Sequence, residues 1–160
     1  MFRNNTACLI NELIVLGEST TLFLESIRGD RLQVAVESQS ETNVSGSQVI
    51  RRAVKLHFQT PDAPVLYCVS FLNKNMLTEE EYRRLMVEEQ PIGILFQSLN
   101  DAASIKKRNV FVTQSCNSAL AARLNVQSEM IFEKRYDYWV GDRAIGYICE
   151  FFNEESLDRV

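Results

Sequence analysis

Two ionisable residues stand where a folded chain tolerates charge least. Between Val49 and Phe58, alternate positions place Ile50, Val54, Leu56 and Phe58 on one apolar face of a strand. Arg52 falls on that same face, whereas Arg51, Lys55 and His57 fall on the other. A guanidinium among apolar side chains needs a partner, and its planar fork suits a carboxylate. Arg52 therefore either pairs inside the core or is aimed into a pocket that takes an acid. Glu150 is the second such residue. It interrupts Ile145-Gly146-Tyr147-Ile148-Cys149-Glu150-Phe151-Phe152, a run apolar on both faces, as a central strand requires. A carboxylate there is costly unless it is paired or protonated. It reads either as half of a structural ion pair, with Arg52 a candidate partner, or as an acid/base group. A carboxyl held in apolar surroundings can exchange protons near neutrality.

Pro91-Ile92-Gly93 is the third feature. Glycine permits close backbone approach, and a helix starting there would offer free N–H groups to an anion. Glu18, Glu25, Arg135 and Asp137 read as surface or hairpin residues, with Arg135 set apart as a further candidate. The single histidine, His57, has no cysteine spacing around it that would make a zinc site. No G-x-S-x-G elbow accompanies it for a serine triad. The four cysteines, Cys8, Cys68, Cys116 and Cys149, are widely separated, three of them in apolar strand-like stretches. They read as reduced core thiols and not as a disulfide framework.

These residues must be carried by specific elements. A helix is expected from Cys8 to Val15, broken by Gly17-Glu18-Ser19, after which Ser19 caps a second helix bearing Leu22, Phe23 and Ile27. Leu32, Val34 and Val36 alternate as a half-buried strand. Residues 38–48 read as an exposed loop inside one domain. The strand with Arg52 spans about 49–58, and the turn Pro61-Asp62-Ala63-Pro64 returns the chain as a strand from Val65 to Leu72. Thr78-Glu79-Glu80-Glu81 predicts a capping box, with Leu77 and Tyr82 as its staple and Tyr82, Leu85 and Met86 as the buried stripe. Pro91 ends that helix, and Ile92 to Phe96 opens a short one. A strand follows near Val110–Val112, then a short helix over 117–124. Two long strands, 129–140 and 143–153, flank a turn at Gly141-Asp142. Five or six mostly antiparallel strands with interspersed helices predict an α+β fold.

The whole chain, 1–160, reads as one domain, long enough to bury a core. Its 46% apolar and 24% charged content is globular, and its net charge of -4 offers no basic excess for nucleic acid. No apolar run reaches the roughly 18 residues of a membrane helix. The N-terminus from Met1 to Asn5 lacks the apolar run of a signal peptide, so a cytoplasmic location is expected.

Taken together, the motifs resemble those of the chorismate pyruvate-lyase family. Ser19-Thr20-Thr21-Leu22-Phe23-Leu24-Glu25 is similar to the family's S-x-T-x-x-x-E opening. Arg52-Ala53-Val54-Lys55-Leu56 resembles the strand with its carboxylate-binding arginine, and Pro91-Ile92-Gly93 resembles its P-[LI]-G helix start. Ile148-Cys149-Glu150-Phe151-Phe152 resembles the late strand with its active-site glutamate. The order and spacing agree over residues 13–153, although each motif alone is short.

The resemblance implies a six-stranded, mostly antiparallel sheet with helical flaps over an internal ligand pocket. It implies conversion of chorismate to 4-hydroxybenzoate and pyruvate, driven by aromatisation, with no cofactor or metal. Arg52 would hold the ring carboxylate, assisted by the backbone N–H of Ile92, with Gly93 and Thr21 among the substrate-binding residues. Glu150 would serve as acid/base at the ring's far end. One departure matters. The family's familiar bacterial members carry a second arginine on the strand after Arg52, and Tyr67-Cys68-Val69-Ser70 has none, leaving Arg51 or Arg135 to meet the enolpyruvyl carboxylate.

The same fold resembles the effector-binding domain of GntR-type regulators, particularly over Ala119–Val126, Arg135 and Gly141-Asp142. That resemblance implies a non-catalytic sensor of small carboxylates. Only about eighteen residues precede Ser19, too few for the winged helix-turn-helix of such regulators. Glu150 separates the two readings, because a plain carboxylate sensor has no need of a buried acid.

Overall fold

The computed structural model describes residues 6–160, so the expectation for the first five residues lies outside the described part. Six strands form one antiparallel sheet in the order β1-β2-β3-β6-β5-β4. They are β1 (Gln33–Val44), β2 (Ser47–His57), β3 (Leu66–Asn73), β4 (Ile105–Cys116), β5 (Met130–Val140) and β6 (Arg143–Phe152). The helices are α1 (Thr6–Val15), α2 (Thr20–Arg28), α3 (Glu79–Val87), α4 (Ile92–Leu99), α5 (Ser118–Leu124) and α6 (Glu154–Leu157). The fold is the α+β, six-stranded arrangement expected.

Helices cover both faces of the sheet. On the inner face, Leu9, Leu13 and Leu24 of α1 and α2 pack with Val54, Leu66 and Phe152. Leu85, Leu95 and Phe96 of α3 and α4 pack with Ile50, Leu72 and Tyr138. On the outer face, Ala121 and Leu124 of α5 rest on Tyr67, Val69 and Phe151. Strand β6 lies between β3 and β5, which is why its residues are apolar on both sides.

Five details differ from the sequence reading. Residues 38–48 are not a loop: β1 and β2 continue as a ribbon to the pair Val44↔Ser47. Ser45 and Gly46 turn the chain with φ of 51° and 84°, the double positive φ of a type I′ hairpin. This ribbon is polar because it is an exposed edge, and polar composition alone mimics a loop. Strand β4 starts at Ile105, well before Val110, and a bulge between Arg108 and Phe111 interrupts it. Met86 is exposed, so Leu85 carries the buried stripe of α3. His57 is buried rather than on a polar face, its Nδ1 3.2 Å from the Phe58 carbonyl. Cys8 and Cys116 are exposed thiols, Cys149 is buried, and all four cysteines are unpaired. Among the described residues, no helix is long and apolar enough to cross a membrane.

The β3–β6 seam depends on Gly146. A Cβ there would come 2.2 Å from the Phe71 carbonyl oxygen and 2.9 Å from the Leu72 Cα, both backbone atoms that cannot yield cheaply. Gly146→Ala is expected to destabilise the protein by about 3 kcal/mol or more, lowering the melting temperature by roughly 10 °C. Thermal unfolding monitored by circular dichroism checks this, and an unchanged midpoint would refute the close approach.

The capping box of α3 is present: Glu81 N–H donates to Thr78 Oγ1 at 3.2 Å, and Glu81 Oε2 accepts from Thr78 N–H at 2.8 Å. Glu81 also takes two hydrogen bonds from Arg143 and one from Asn100. Burial works to raise its pKa, but these donors outweigh burial and hold it at about 2. Because the folded value lies below the unfolded value of roughly 4.3, this stabilisation is present above pH 4.3 and lost as pH falls towards 2. Discounted for the partly exposed Arg143, it is worth about 2 kcal/mol. Denaturant titrations across that window should therefore show a steeper loss of stability for wild type than for Glu81→Gln.

Candidate functional site

The antiparallel register lines up the chemistry on the inner face. One row across the sheet reads Arg52, Ser70, Ile148, Tyr136. The neighbouring row reads Val54, Cys68, Glu150, Lys134. A third reads Ile50, Leu72, Gly146, Tyr138, Lys107. Helices α2 and α4 lie above these rows and enclose a cavity of about 580 Å³. This is a volume suited to a small ring compound. Its walls include Thr20 and Thr21 from α2, Ile92 and Gly93 from α4, and Glu150 from β6.

Glu150 is 5% exposed and is not the isolated acid that its flanking sequence suggests. Tyr136 OH donates to its Oε1 at 2.8 Å and Thr20 Oγ1 donates to its Oε2 at 3.0 Å. Lys107 Nζ stands 4.0 Å from Oε1. Burial, with the negative Glu150 beside it, pushes the Tyr136 hydroxyl well above its ordinary pKa, so it stays a donor. Arg52 is not the partner of Glu150, which corrects the ion-pair reading.

Lys107 is the residue that sequence reasoning missed. Its side chain is only 4% exposed. The ammonium donates to Thr20 Oγ1 at 3.0 Å and sits 4.5 Å from the centre of the Tyr136 ring. In sequence it belongs to Lys106-Lys107-Arg108, which the strand expected near Val110–Val112 does not reach. Only a strand beginning at Ile105 would have placed Lys107 on the inner face with Tyr138 as its neighbour.

A second buried lysine serves the roof. Lys134 Nζ donates to the carbonyls of Leu13 and Leu16 at 2.6 and 2.7 Å, clasping the end of α1 and the connection to α2. Burial, aided by the Lys107 charge and opposed by Glu150, brings its pKa down to about 8. Ser19 caps α2 by accepting from Leu22 N–H at 3.4 Å. Gly93 fits against this cap, since a Cβ there would come 2.9 Å from Ser19 Oγ. Helix α4 has Pro91 at its N-cap and no side-chain cap, so its first N–H groups have no partner from a capping side chain.

The other expected residues are placed differently. Arg52 is 1% exposed, and its strand neighbours Val54 and Ser70 line the cavity while it does not. Its Nη1 donates to the Gln90 carbonyl at 2.9 Å and its Nη2 to the Glu88 carbonyl at 3.3 Å. Its Nε is buried without a partner. Arg52 thus holds the α3–α4 connection that delivers Pro91 and Ile92 to the cavity. Arg135 lies on the outer face, 3.3 Å from Glu133 and over the Phe111 ring. Strand alternation puts it on the opposite side from Tyr136, so it cannot reach the cavity. Arg51 donates to Ser38 Oγ, also away from the site. Neither can supply the second cation.

A family model described as chorismate pyruvate-lyase Rv2949c-like matches residues 12–160. No curated protein matches the chain in sequence. Among solved structures, PhnF from Mycobacterium smegmatis is similar with a TM-score of 0.65 at 13% identity, over 87% of this chain and 65% of that one. The chain thus spans less than two thirds of PhnF. The effector domain of PhnF alone is similar with a TM-score of 0.64 at 14% identity, over 85% of this chain and 88% of that one. The ligand-binding domain of a GntR-family regulator from Bordetella bronchiseptica gives a TM-score of 0.56 at 14% identity, over 77% and 85%. At these identities the likeness is one of fold.

Proposed function

The chain belongs to the chorismate pyruvate-lyase Rv2949c-like family, and from that premise we propose that its cavity converts chorismate to 4-hydroxybenzoate and pyruvate. The observation that carries this reading is Glu150 inside the cavity, held by Tyr136 and Thr20 with Lys107 beside it. A carboxylate fixed by two donors is aimed, and aim is what proton transfer needs.

The chemistry balances without an added reagent. A base takes the proton from C4 of the ring, the C4–H pair enters the ring, and the C3–oxygen bond breaks. The enolpyruvyl group leaves with the bonding pair, takes up a proton at its methylene carbon and becomes pyruvate. Glu150 serves as the acid/base group. Arg52 meets the ring carboxylate through its free Nε or by giving up a carbonyl of the 88–90 segment. The first N–H groups of α4 and the Thr21 hydroxyl complete the polar lining. Closure by α2 and α4 excludes water and fixes the ring.

The engagement of Arg52 by Glu88 and Gln90 carbonyls favours a second reading, a ligand-responsive binding domain in which an acid displaces the connection. One experiment separates the two. Purified protein is mixed with chorismate, and pyruvate and 4-hydroxybenzoate are followed by chromatography. Equal release of both products is the expected result. No turnover, with 4-hydroxybenzoate still raising the melting temperature, would replace the lyase with the binding domain.

A further inference from the structure

The lyase reading asks for two cations, because its substrate carries a carboxylate on the ring and another on the side arm. We infer that Lys107 is the specificity-determining residue that receives the side-arm carboxylate of a dianionic ligand, in place of the arginine that β3 lacks. The inference rests on the proposed function but stands on its own geometry.

Four observations carry it. Strand β3 offers Cys68 and Ser70 to the cavity and no positive group. Arg51 and Arg135 are committed elsewhere. Lys107 lines the cavity with its side chain 4% exposed. Its ammonium has three donors, of which Thr20 Oγ1 takes one at 3.0 Å. Glu150 at 4.0 Å lies beyond hydrogen-bond reach, so two donors are left for a ligand.

The placement also suits the ligand's size. Arg52 is on β2 and Lys107 on β4, four strand spacings apart in the sheet. At about 4.8 Å per spacing this is roughly 19 Å between backbones, so the two cations stand at well-separated ends of the inner face. A cavity of about 580 Å³ takes a small ring with a short acidic arm, and not a long or polymeric acid.

Lys107 then discriminates substrate from product. A dianion engages both Arg52 and Lys107. Once the side arm departs, the remaining monoanion offers Lys107 nothing, and the ammonium keeps only its hydrogen bond to Thr20. Binding should therefore favour the dianion through Lys107 alone.

The test uses two unreactive probes, 3-(carboxymethoxy)benzoate as the dianion and 3-methoxybenzoate as the monoanion, titrated calorimetrically into wild type, Lys107→Met and Lys107→Arg. Wild type should prefer the dianion. Lys107→Met should weaken the dianion at least tenfold and leave the monoanion within threefold, while Lys107→Arg should keep most of the preference. Chorismate KM should rise in Lys107→Met in step with the lost dianion binding. Equal weakening of both probes, or a wild type with no preference, would overturn the assignment. If the probes behave as expected but wild type does not turn over chorismate, the lyase reading fails and the dianion site stands. Melting temperatures of the three proteins guard against a folding defect, and Lys107→Arg keeps the test decisive if Lys107→Met is unstable.

Discussion

Glu150→Gln is expected to lower kcat for chorismate by about 10²–10⁴-fold while leaving the fold in place, which is the span that a positioned acid/base contributes. Glutamine keeps the size of the side chain, and its amide oxygen can still accept from Tyr136 OH, 2.8 Å away in the native protein. What it removes is the ability to take a proton and the negative charge near Lys107, which stands 4.0 Å from Glu150. The second loss has its own cost, of about 1–3 kcal/mol, because a buried ammonium is left with less compensation. Stability and chemistry can be separated. Adding Lys107→Met to Glu150→Gln should restore part of the melting temperature, since the uncompensated charge is gone, and should restore no turnover. Initial rates of pyruvate release and thermal melts of the single and double variants provide both readings. A Glu150→Gln protein with wild-type kcat would remove Glu150 from the proton transfer altogether.

The two anomalies that the sequence exposes, Arg52 and Glu150, are both buried on the inner face, because a charge within a period-two apolar pattern is visible without any partner. Their partners are not visible in this way. Thr20, Tyr136 and Lys107 come from α2, β5 and β4, and they meet Glu150 only through the sheet order, which places β4 last in space. Local periodicity carries no information about strand order. Lys107 was hidden twice, by its basic neighbours and by a bulge between Arg108 and Phe111 that breaks the alternation of β4. Arg135 shows the converse. Its alternation with Tyr136 and Tyr138 already assigns it to the face opposite the cavity, whatever charge the ligand demands. The Ser45-Gly46 pair adopts positive φ, but it sits in a polar stretch whose composition alone reads as a loop.

Arg52→Lys is expected to lower kcat/KM for chorismate by about 30- to 1,000-fold and to abolish the rise in melting temperature given by 4-hydroxybenzoate. The corresponding loss of about 2–4 kcal/mol is typical of removing one partner from a buried charged hydrogen bond. Lysine keeps the charge and loses the fork, so the variant isolates geometry from charge. In the native protein Arg52 spends two donors on the Gln90 and Glu88 carbonyls and has its Nε unused. A shorter set of donors cannot hold that connection and a ligand carboxylate together. The ligand-free variant should also melt lower, because those carbonyls lose charged donors at about 1–3 kcal/mol each. The two effects answer different questions. A lower melting temperature with ligand stabilisation intact would make Arg52 an anchor for the approach to α4, and would pass the ring carboxylate to the α4 N-terminus. Loss of ligand stabilisation beyond the loss of intrinsic stability would make the same guanidinium both the anchor and the binding group. In that case occupancy of the cavity and the position of α4 are coupled, because the guanidinium that meets the ligand is the one that holds residues 88–90.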